Sequence, residues 1–257
     1  MATIQRRRLL LGNTTPAYDP DAQAYITAVE AADGQALEVA VKDAINAFVV
    51  GCKADGIWNA IKSCCILAGA RTLNGALVQL IPNANPVTNF NFISADYNRT
   101  TGLIGNGTNK YLDSNRAANA SGQDNFHMAV FANSWSSNTV IGGSSSGFVN
   151  RILRVNMRIT GSGGIDISTS ALSFVGGSRS SSTQFISRVG GVSDTISNTS
   201  SDPGTANVTI FAQRNGESII GFSDARLSFY SIGEAVVLAL LDVRVTTYMN
   251  TLSGLNL

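Results

Sequence analysis

The residue composition of this chain changes abruptly between Pro82 and Pro86. Before the change, Ala, Leu, Ile and Val dominate at helical spacing; after it, Gly, Ser, Thr and Asn dominate, and short apolar runs alternate with polar residues. A period near 3.6 predicts helices, and a period of two predicts half-buried strands. Frequent turns between the runs favour a sandwich or jelly roll over a βαβ fold. The sequence therefore predicts an α+β fold with an N-terminal helical module, an antiparallel β-sandwich and a C-terminal helix.

The same pattern divides the 257 residues into four segments. We expect a basic N-terminal arm over residues 1–19, a helical docking module over 20–85, a β-sandwich domain over 86–234 and a C-terminal helix over 235–257 that packs back. Three short helices alone make a thin core. We therefore expect the helical module to pack on the β domain or on symmetry mates.

Local signals indicate where the helices begin. Asp19 before Pro20 is typical of a helix start, because Asp caps free amides and Pro fits the first helical position. The Ser-x-x-Glu sequence from Ser231 to Glu234 matches a capping box and predicts the start of the last helix. A third helix is predicted by apolar residues one turn apart, namely Ile57, Ile61 and Cys65.

Alternating residues indicate the strands. Residues 126–131 predict a strand that is partly apolar on both faces, and Asn215-Gly216 predicts a hairpin turn. The Ser/Gly-rich stretches 142–147 and 176–183 predict loops. One half-buried strand with a basic outer face is predicted where Leu153, Val155, Met157 and Ile159 alternate with Arg154, Asn156 and Arg158.

Few residues are charged: 14%, with a formal net charge of +1 and a hydrophobic fraction of 44%. Folded domains usually carry about a quarter of charged residues. A β surface covered by Ser, Thr and Asn explains part of this deficit, and burial of surface in an oligomer explains the rest. The small net charge provides no general attraction to nucleic acid or membrane, so we expect neither nucleic-acid binding nor membrane insertion.

The N-terminal arm is basic and then apolar, with Arg6, Arg7 and Arg8 followed by Leu9 and Leu10. Its apolar run is shorter than the core of a signal peptide, and no stretch approaches the ~20 apolar residues that span a bilayer. We expect these five residues to dock on a partner subunit. The alternative is a terminus with stray charge and no partner.

Three cysteines, Cys52, Cys64 and Cys65, fall in the predicted helical module. Their spacing does not resemble a zinc site. Buried thiols that act as small hydrophobic groups are the favoured interpretation. A disulfide between Cys52 and Cys64 or Cys65, within or between subunits, is the alternative.

Catalytic chemistry has little support in the residues. His127 is the only histidine and lies within a strand pattern, which favours a structural role. Carboxylates that can pair in a glycosidase cleft all fall in turn-like stretches, which favours turn formation instead; they are Asp96, Asp113, Asp194 and Asp202. The sequence predicts no cofactor, with calcium at Asp113, Ser114 and Asn115 as a minor alternative.

Contact with a glycan is a second hypothesis. Trp135 follows a strand among serines, so it either stacks on a sugar or folds back over the sheet edge. Arg151, Arg154 and Arg158 either meet an anionic glycan or form a solvated strand face.

Longer strings carry a family resemblance. DAQAYITAVEAADG (21–34), with NAFVVGCK (46–53), GIW (56–58) and AGARTL (68–73), resembles a helical segment of bacteriophage tail-fibre and other virion proteins. NRTTGL (98–103), GNGTNKY (105–111) and FSDARLSFYSIGE (222–234) resemble the concanavalin/laminin-G-like modules of such proteins. The matches span most of the chain, but residues 134–205 are not distinctive.

The resemblance implies a non-enzymatic structural protein of a tailed-phage virion. A tail fibre, a neck or collar appendage, and a head spike all fit. Its expected partners are further copies of itself, as a homotrimer, other virion structural proteins and a host surface glycan. The alternatives are a carbohydrate-binding host-recognition module, a capsid decoration or cement protein, and a depolymerase that uses paired Asp residues.

Overall fold

The computed structural model describes residues 17–136, 138–145, 148–154, 156–161 and 172–257. The predicted docking residues Arg6, Arg7, Arg8, Leu9 and Leu10 lie outside these ranges. The helices are α1 Pro20–Asp33, α2 Val39–Ala54, α3 Leu73–Ala76 and α4 Leu238–Ser253. The strands are β1 Ile61–Ile66, β2 Thr88–Phe90, β3 Tyr97–Asn98, β4 Gly102–Ile104, β5 Tyr111–Ala117, β6 Phe126–Ser134, β7 Thr139–Ser145, β8 Phe148–Leu153, β9 Asn156–Gly161, β10 Ser173–Arg179, β11 Gln184–Val189, β12 Val192–Ser197, β13 Asn207–Ile210, β14 Gln213–Asn215, β15 Ser218–Ile220 and β16 Arg226–Gly233.

The strands form two facing sheets. Sheet A has the order β12-β11-β10-β6-β16-β4-β3, with β1 also paired to β16. Sheet B has the order β15-β14-β7-β13-β5-β2, and it continues from β7 through β8 to β9. The pairs are antiparallel except for β14 with β7. The predicted α+β fold with a β-sandwich, an N-terminal helical part and a C-terminal helix is confirmed.

The core between the sheets is built from cross-strand rows of apolar residues. One row crosses sheet B from β5 to β9, and its members are fully buried: Leu112, Ile210, Ile141, Ile152 and Met157. Met128, Val130 and Tyr230 of sheet A belong to the same cluster. Because residues directly opposite on paired strands share a face, the neighbouring row of sheet B points outward.

The helices form a third layer on the outer face of sheet A. Phe48 of α2 lies against Phe229 of β16, with ring centroids 6.0 Å apart, and against Tyr248 of α4, at 6.1 Å. Residues of α1, α2 and α4 belong to one buried cluster with Phe174 and Ala129 of sheet A. The layer is therefore built from both ends of the chain.

The predicted third helix is wrong, because Ile61–Ile66 is strand β1 of sheet A. Cys64 faces the helices and Cys65 faces the core between the sheets. From Ser63 to Ile66 the strand is buried on both faces. Its sequence therefore lacks the apolar–polar alternation that indicates a half-buried strand.

The predicted capping box is also wrong. Ser231 lies within β16 and pairs with Ala129, while α4 begins at Leu238 without a side-chain cap. The Ser231 hydroxyl is instead hydrogen-bonded to His127 Nε2 at 2.7 Å. The Ser231 hydroxyl is therefore used in a tertiary hydrogen bond and does not cap a helix.

The basic strand predicted over residues 153–159 is divided in two. Leu153 of β8 pairs with Asn156 of β9, so a tight turn includes Arg154. The two Ser/Gly-rich stretches predicted as loops contain most of β7 and β10 instead. In β10, a Cβ at Gly177 would lie 2.5 Å from Ile159 Cδ1, so the glycine permits close packing between the sheets.

Candidate functional site

His127 has a structural environment. The residue is fully buried, its Nε2 is hydrogen-bonded to Ser231, and its Nδ1 lies against the Glu234 carbonyl oxygen. Burial, helped by nearby Arg116, lowers the pKa of His127 from 6.5 to about 4. Both ring nitrogens are engaged, so the imidazole has no free position for general-base chemistry.

The carboxylates proposed for catalysis have separate structural partners. Asp96 pairs with Lys110 at 2.5 Å, and Asp202 Oδ1 accepts a hydrogen bond from Gly204 N at 2.7 Å. Asp194 lies on β12, at the edge of sheet A. These groups lie in different elements rather than at one cleft.

Asp113, the candidate calcium ligand, is buried and ion-paired to Arg214 at 2.6 Å. It also accepts hydrogen bonds from Asn115 N at 2.8 Å and from Asn207 Nδ2 at 3.0 Å. Among the described residues, no group of three His, Cys, Asp or Glu side chains is arranged to hold a metal ion.

The cysteines are free, buried thiols. Cys65 Sγ lies 3.4 Å from Tyr230 Oη, and burial raises the pKa of Cys65 and of Cys52 to about 12. A thiol with a raised pKa is a poor nucleophile and a poor redox sensor. Neither of the two disulfides considered above, Cys52 with Cys64 or Cys52 with Cys65, is formed within the chain. A disulfide between subunits stays a prediction.

Trp135 and Arg154 lie together at one edge of the sandwich. Trp135 is only 5% exposed; its Nε1 donates a hydrogen bond to Asn138 O at 3.2 Å, and its carbonyl oxygen accepts one from Arg154 Nη1. With Asp224 and Leu172 they line a cleft of about 370 Å³. The indole folds back over the sheet edge, so its face is not a stacking platform.

Arg158 lies apart from this cleft, on the outer face of sheet B. Its partner across the β8–β9 ladder is Arg151. The sequence does not predict this arrangement, because the alternating pattern of residues 153–159 continues across the turn between β8 and β9. In the structure the inward residues change from even to odd numbers between Ile152 and Met157. The sequence does not show this change, because the odd positions Val149, Leu153 and Val155 are apolar as well.

An apolar groove of about 400 Å³ lies between α1 and the segment 77–87. Exposed Ala24 and Ala28 of α1 form one side, and Ile81, Pro82 and Val87 belong to the other. The groove opens beside α1 of the helical layer. It offers apolar surface without a described charge in its lining.

No described helix combines the length and apolar character needed to cross a membrane. No protein-family model matches the sequence, and no curated protein matches it.

The solved structures with a distant likeness to this chain include the following two. The binding domain of botulinum neurotoxin serotype D has a TM-score of 0.46 and 11% identity, over 75% of this chain and 52% of that one. This chain thus spans about half of the toxin domain. A domain of an extracellular arabinanase from Geobacillus stearothermophilus, solved with arabinotriose, has a TM-score of 0.41 and 14% identity, over 72% and 98%. Both likenesses are too distant to indicate a shared function.

Proposed function

We propose that the chain is a non-enzymatic structural protein of a tailed-phage virion, an oligomeric appendage that docks at one end and displays its β-sandwich. The observation that carries this proposal is that the candidate catalytic side chains already have structural partners within the fold. His127 is buried with both ring nitrogens engaged, and Asp113 is ion-paired to Arg214. The helical string at 21–34 and the final string at 222–234 resemble those of virion proteins. This resemblance supports the choice of particle part: a tail fibre, a neck or collar appendage, or a head spike.

The layered fold supports a division between docking and display. The helices cover the outer face of sheet A, so that face is unavailable to a ligand. The outer face of sheet B carries polar and basic side chains, including Arg151 and Arg158. We assign docking to the helical layer and the arm, and display to sheet B.

The groove beside α1 offers a docking surface for the arm of a neighbouring copy. Residues 1–16 are joined to Ala17, three residues before α1 begins at Pro20. An extended chain spans at most about 3.5 Å per residue, so Leu9 and Leu10 have a reach of roughly 25 Å from Ala17. Their side chains match the apolar lining, and exchange of arms around a threefold axis gives a closed homotrimer.

Light scattering on the full chain tests this association. We expect a mass about three times the 26.9 kDa of one chain. Leu10→Asp, which puts a charge on the arm, and Ala28→Arg, which fills the groove, should both yield monomers. Ala31→Arg is the matched control, because Ala31 is an exposed residue of α1 outside the groove lining, and it should leave the trimer intact.

A full chain that remains a 26.9 kDa monomer would contradict the oligomer. A trimer that persists in both Leu10→Asp and Ala28→Arg would retain oligomerisation but reject this contact.

A second candidate function is recognition of a host surface glycan. It is favoured by the unusual arginine pair on the outer face of sheet B, whose chemistry is developed below. This role is compatible with an appendage and also with a capsid decoration protein.

A further inference from the structure

Two arginines face each other on the outer surface of sheet B without the ion pairs that other arginines of this chain make. Arg151 and Arg158 are direct cross-strand partners in the antiparallel β8–β9 pair. Such partners have Cβ atoms about 5 Å apart, and like charges at these positions are destabilising. Ile152 and Met157, the adjacent pair, are fully buried between the sheets. The side chains of Arg151 and Arg158 therefore leave the sheet on its other face, where both residues are partly exposed.

Both side chains have unused donors. The Nε atoms of Arg151 and Arg158 are buried and have no hydrogen-bond partner. Arg151 Nη2 donates a long 3.4 Å hydrogen bond to Asn156 Oδ1. Within the described part of the chain, Arg158 has no side-chain hydrogen bond or ion pair. Burial and the charge of Arg158 lower the pKa of Arg151, as expected for cations brought together without a counter-charge.

Several other described arginines have acceptors, although the Nε atoms of Arg116 and Arg214 are also buried without a partner. The carboxylate-paired ones are Arg71 and Arg99 with Glu38, Arg188 with Asp242, Arg214 with Asp113, and Arg244 with Asp55. Buried Arg179 instead donates to carbonyl oxygens, including that of Ile159 at 2.7 Å. The contrast indicates that an external acceptor completes the Arg151–Arg158 pair.

The surrounding surface suits a flat polar ligand. A cross-strand row runs from Thr88 through Asp113, Thr209 and Gly142 to this arginine pair. Gly142 leaves the position beside Arg151 without a side chain, and Thr209 is buried with its hydroxyl bonded to Gly142 O at 2.9 Å. The surface next to the two arginines is therefore not raised by a side chain at position 142. The single carboxylate in the row, that of Asp113, is ion-paired to Arg214.

We propose that Arg151 and Arg158 form an oxyanion-binding site for an acidic polysaccharide, gripping a carboxylate or sulfate group between the two guanidinium groups. Guanidinium groups bind such anions through paired, charge-assisted hydrogen bonds. One anion between two cations also relieves their mutual repulsion. The binding site is argued from the arginine pair alone. That the polysaccharide comes from a host surface rests on the proposed virion role.

Nucleic acid is the less suitable ligand. Salt-dependent binding of a duplex typically draws on several phosphate contacts, of the order of 6–10. The chain has a formal net charge of +1, and the row around the pair contains an acidic residue, Asp113. A local two-arginine site fits a single substituent on a sugar better than a continuous phosphate backbone.

Binding of purified chain to polygalacturonate, heparin and neutral dextran tests the proposal, with a DNA duplex as a fourth probe. We expect binding to polygalacturonate, heparin or both, and none to dextran. Arg158→Gln and Arg151→Gln should each weaken it by about tenfold or more, the loss expected for one charge-assisted contact. Lys42→Gln removes an equal charge from α2 on the helical layer and should change the affinity less than about twofold.

Thermal unfolding separates a lost site from a lost fold. Because Arg158 has no described partner to lose, Arg158→Gln should melt no lower than the wild type, and relief of repulsion should raise its midpoint. Sodium sulfate should raise the wild-type midpoint more than that of Arg158→Gln, since a bound ligand adds stability beyond the general salt effect.

Unchanged affinity in both arginine variants, or equal binding of dextran, would overturn the site. Arginine-dependent binding of DNA that matches the acidic glycans would overturn the choice of ligand. The binding measurement uses the isolated chain and does not depend on the virion role. If the chain binds acidic glycans but is absent from phage particles, the virion role is rejected and the arginine site is retained.

Discussion

Buried polar side chains tie the layers of this protein together at the scale of single residues. Arg179 is fully buried in β10, yet it donates hydrogen bonds to the carbonyl oxygens of Ile159 in sheet B and Asn198 beyond β12. His127 likewise links β6 to Ser231 of β16. The structural role of His127 was predictable because it lies within a strong strand pattern. The anchoring of Arg179 was not, because its acceptors are distant backbone groups that leave no sequence signal.

His127 should make folding sensitive to mild acid. Its pKa falls from 6.5 to about 4 on folding, mainly through burial. Below about pH 6.5 the unfolded state binds the proton more readily, so stability declines until the folded residue also titrates near pH 4. The shift corresponds to roughly 3 kcal/mol of unfolding free energy lost across this window.

Denaturant unfolding of wild type and His127→Gln at several pH values checks this expectation. Carboxylates titrate in both proteins, so the difference between their unfolding free energies isolates the histidine. Arg116 and Glu234, which influence His127 electrostatically, are retained in both. The wild type should lose its advantage as the pH falls from 6.5 to 4; a constant difference would show that burial of His127 has no such cost.

At the scale of elements, local signals succeeded where a segment has one covered face. Helix α1 begins at Pro20 with the Asp19 side chain bonded to Asp21 N at 3.0 Å, as the sequence predicts. Strand β1 was missed because both of its faces are covered, and the β8–β9 turn was missed because it lacks Gly and Pro. Arg151 and Arg158 face each other only because of that turn. The sequence therefore indicated both arginines as candidate ligand contacts but did not predict that they are cross-strand partners.

Gly177 should be essential to the close packing of β10 on β9. An added Cβ would lie 2.5 Å from Ile159 Cδ1 and 2.8 Å from Met157 Sδ, so Gly177→Ala should cost about 1–3 kcal/mol of unfolding free energy. Gly254→Ala is the matched control: its nearest neighbour is Thr251 O at 3.5 Å, and the change should be within about 0.5 kcal/mol.

Chemical denaturation of the two glycine variants provides the comparison. Equal unfolding free energies of Gly177→Ala and Gly254→Ala would show that the two sheets can move apart at position 177 at little cost. Such a result would refute the explanation given for why a Gly-rich segment forms a strand there.

At the scale of the whole molecule, the chain is a helical layer on a two-sheet sandwich. The composition change near Pro82 separates most of the helical residues from most of the strands, but β1 precedes it and joins sheet A. The helices at the two ends share one cluster around Phe48, Phe229 and Tyr248. Periodicity predicted this class of fold, whereas the contribution of β1 to sheet A depends on long-range pairing that no local pattern encodes.

The proposed assembly leads to a specific expectation for phage particles. The chain should be a stoichiometric component of purified virions, in a multiple of three copies, at the tail, the neck or the head surface. Its arm should be shielded by a neighbouring subunit, while the outer face of sheet B around Arg151 and Arg158 remains accessible.

Quantitative mass spectrometry of purified phage particles tests the proposed virion role most directly. The chain is expected in a copy number that is a multiple of three, counted against a major capsid protein of known copy number. Its absence from purified particles, with the chain recovered only as free protein from the lysate, would contradict the proposed virion role.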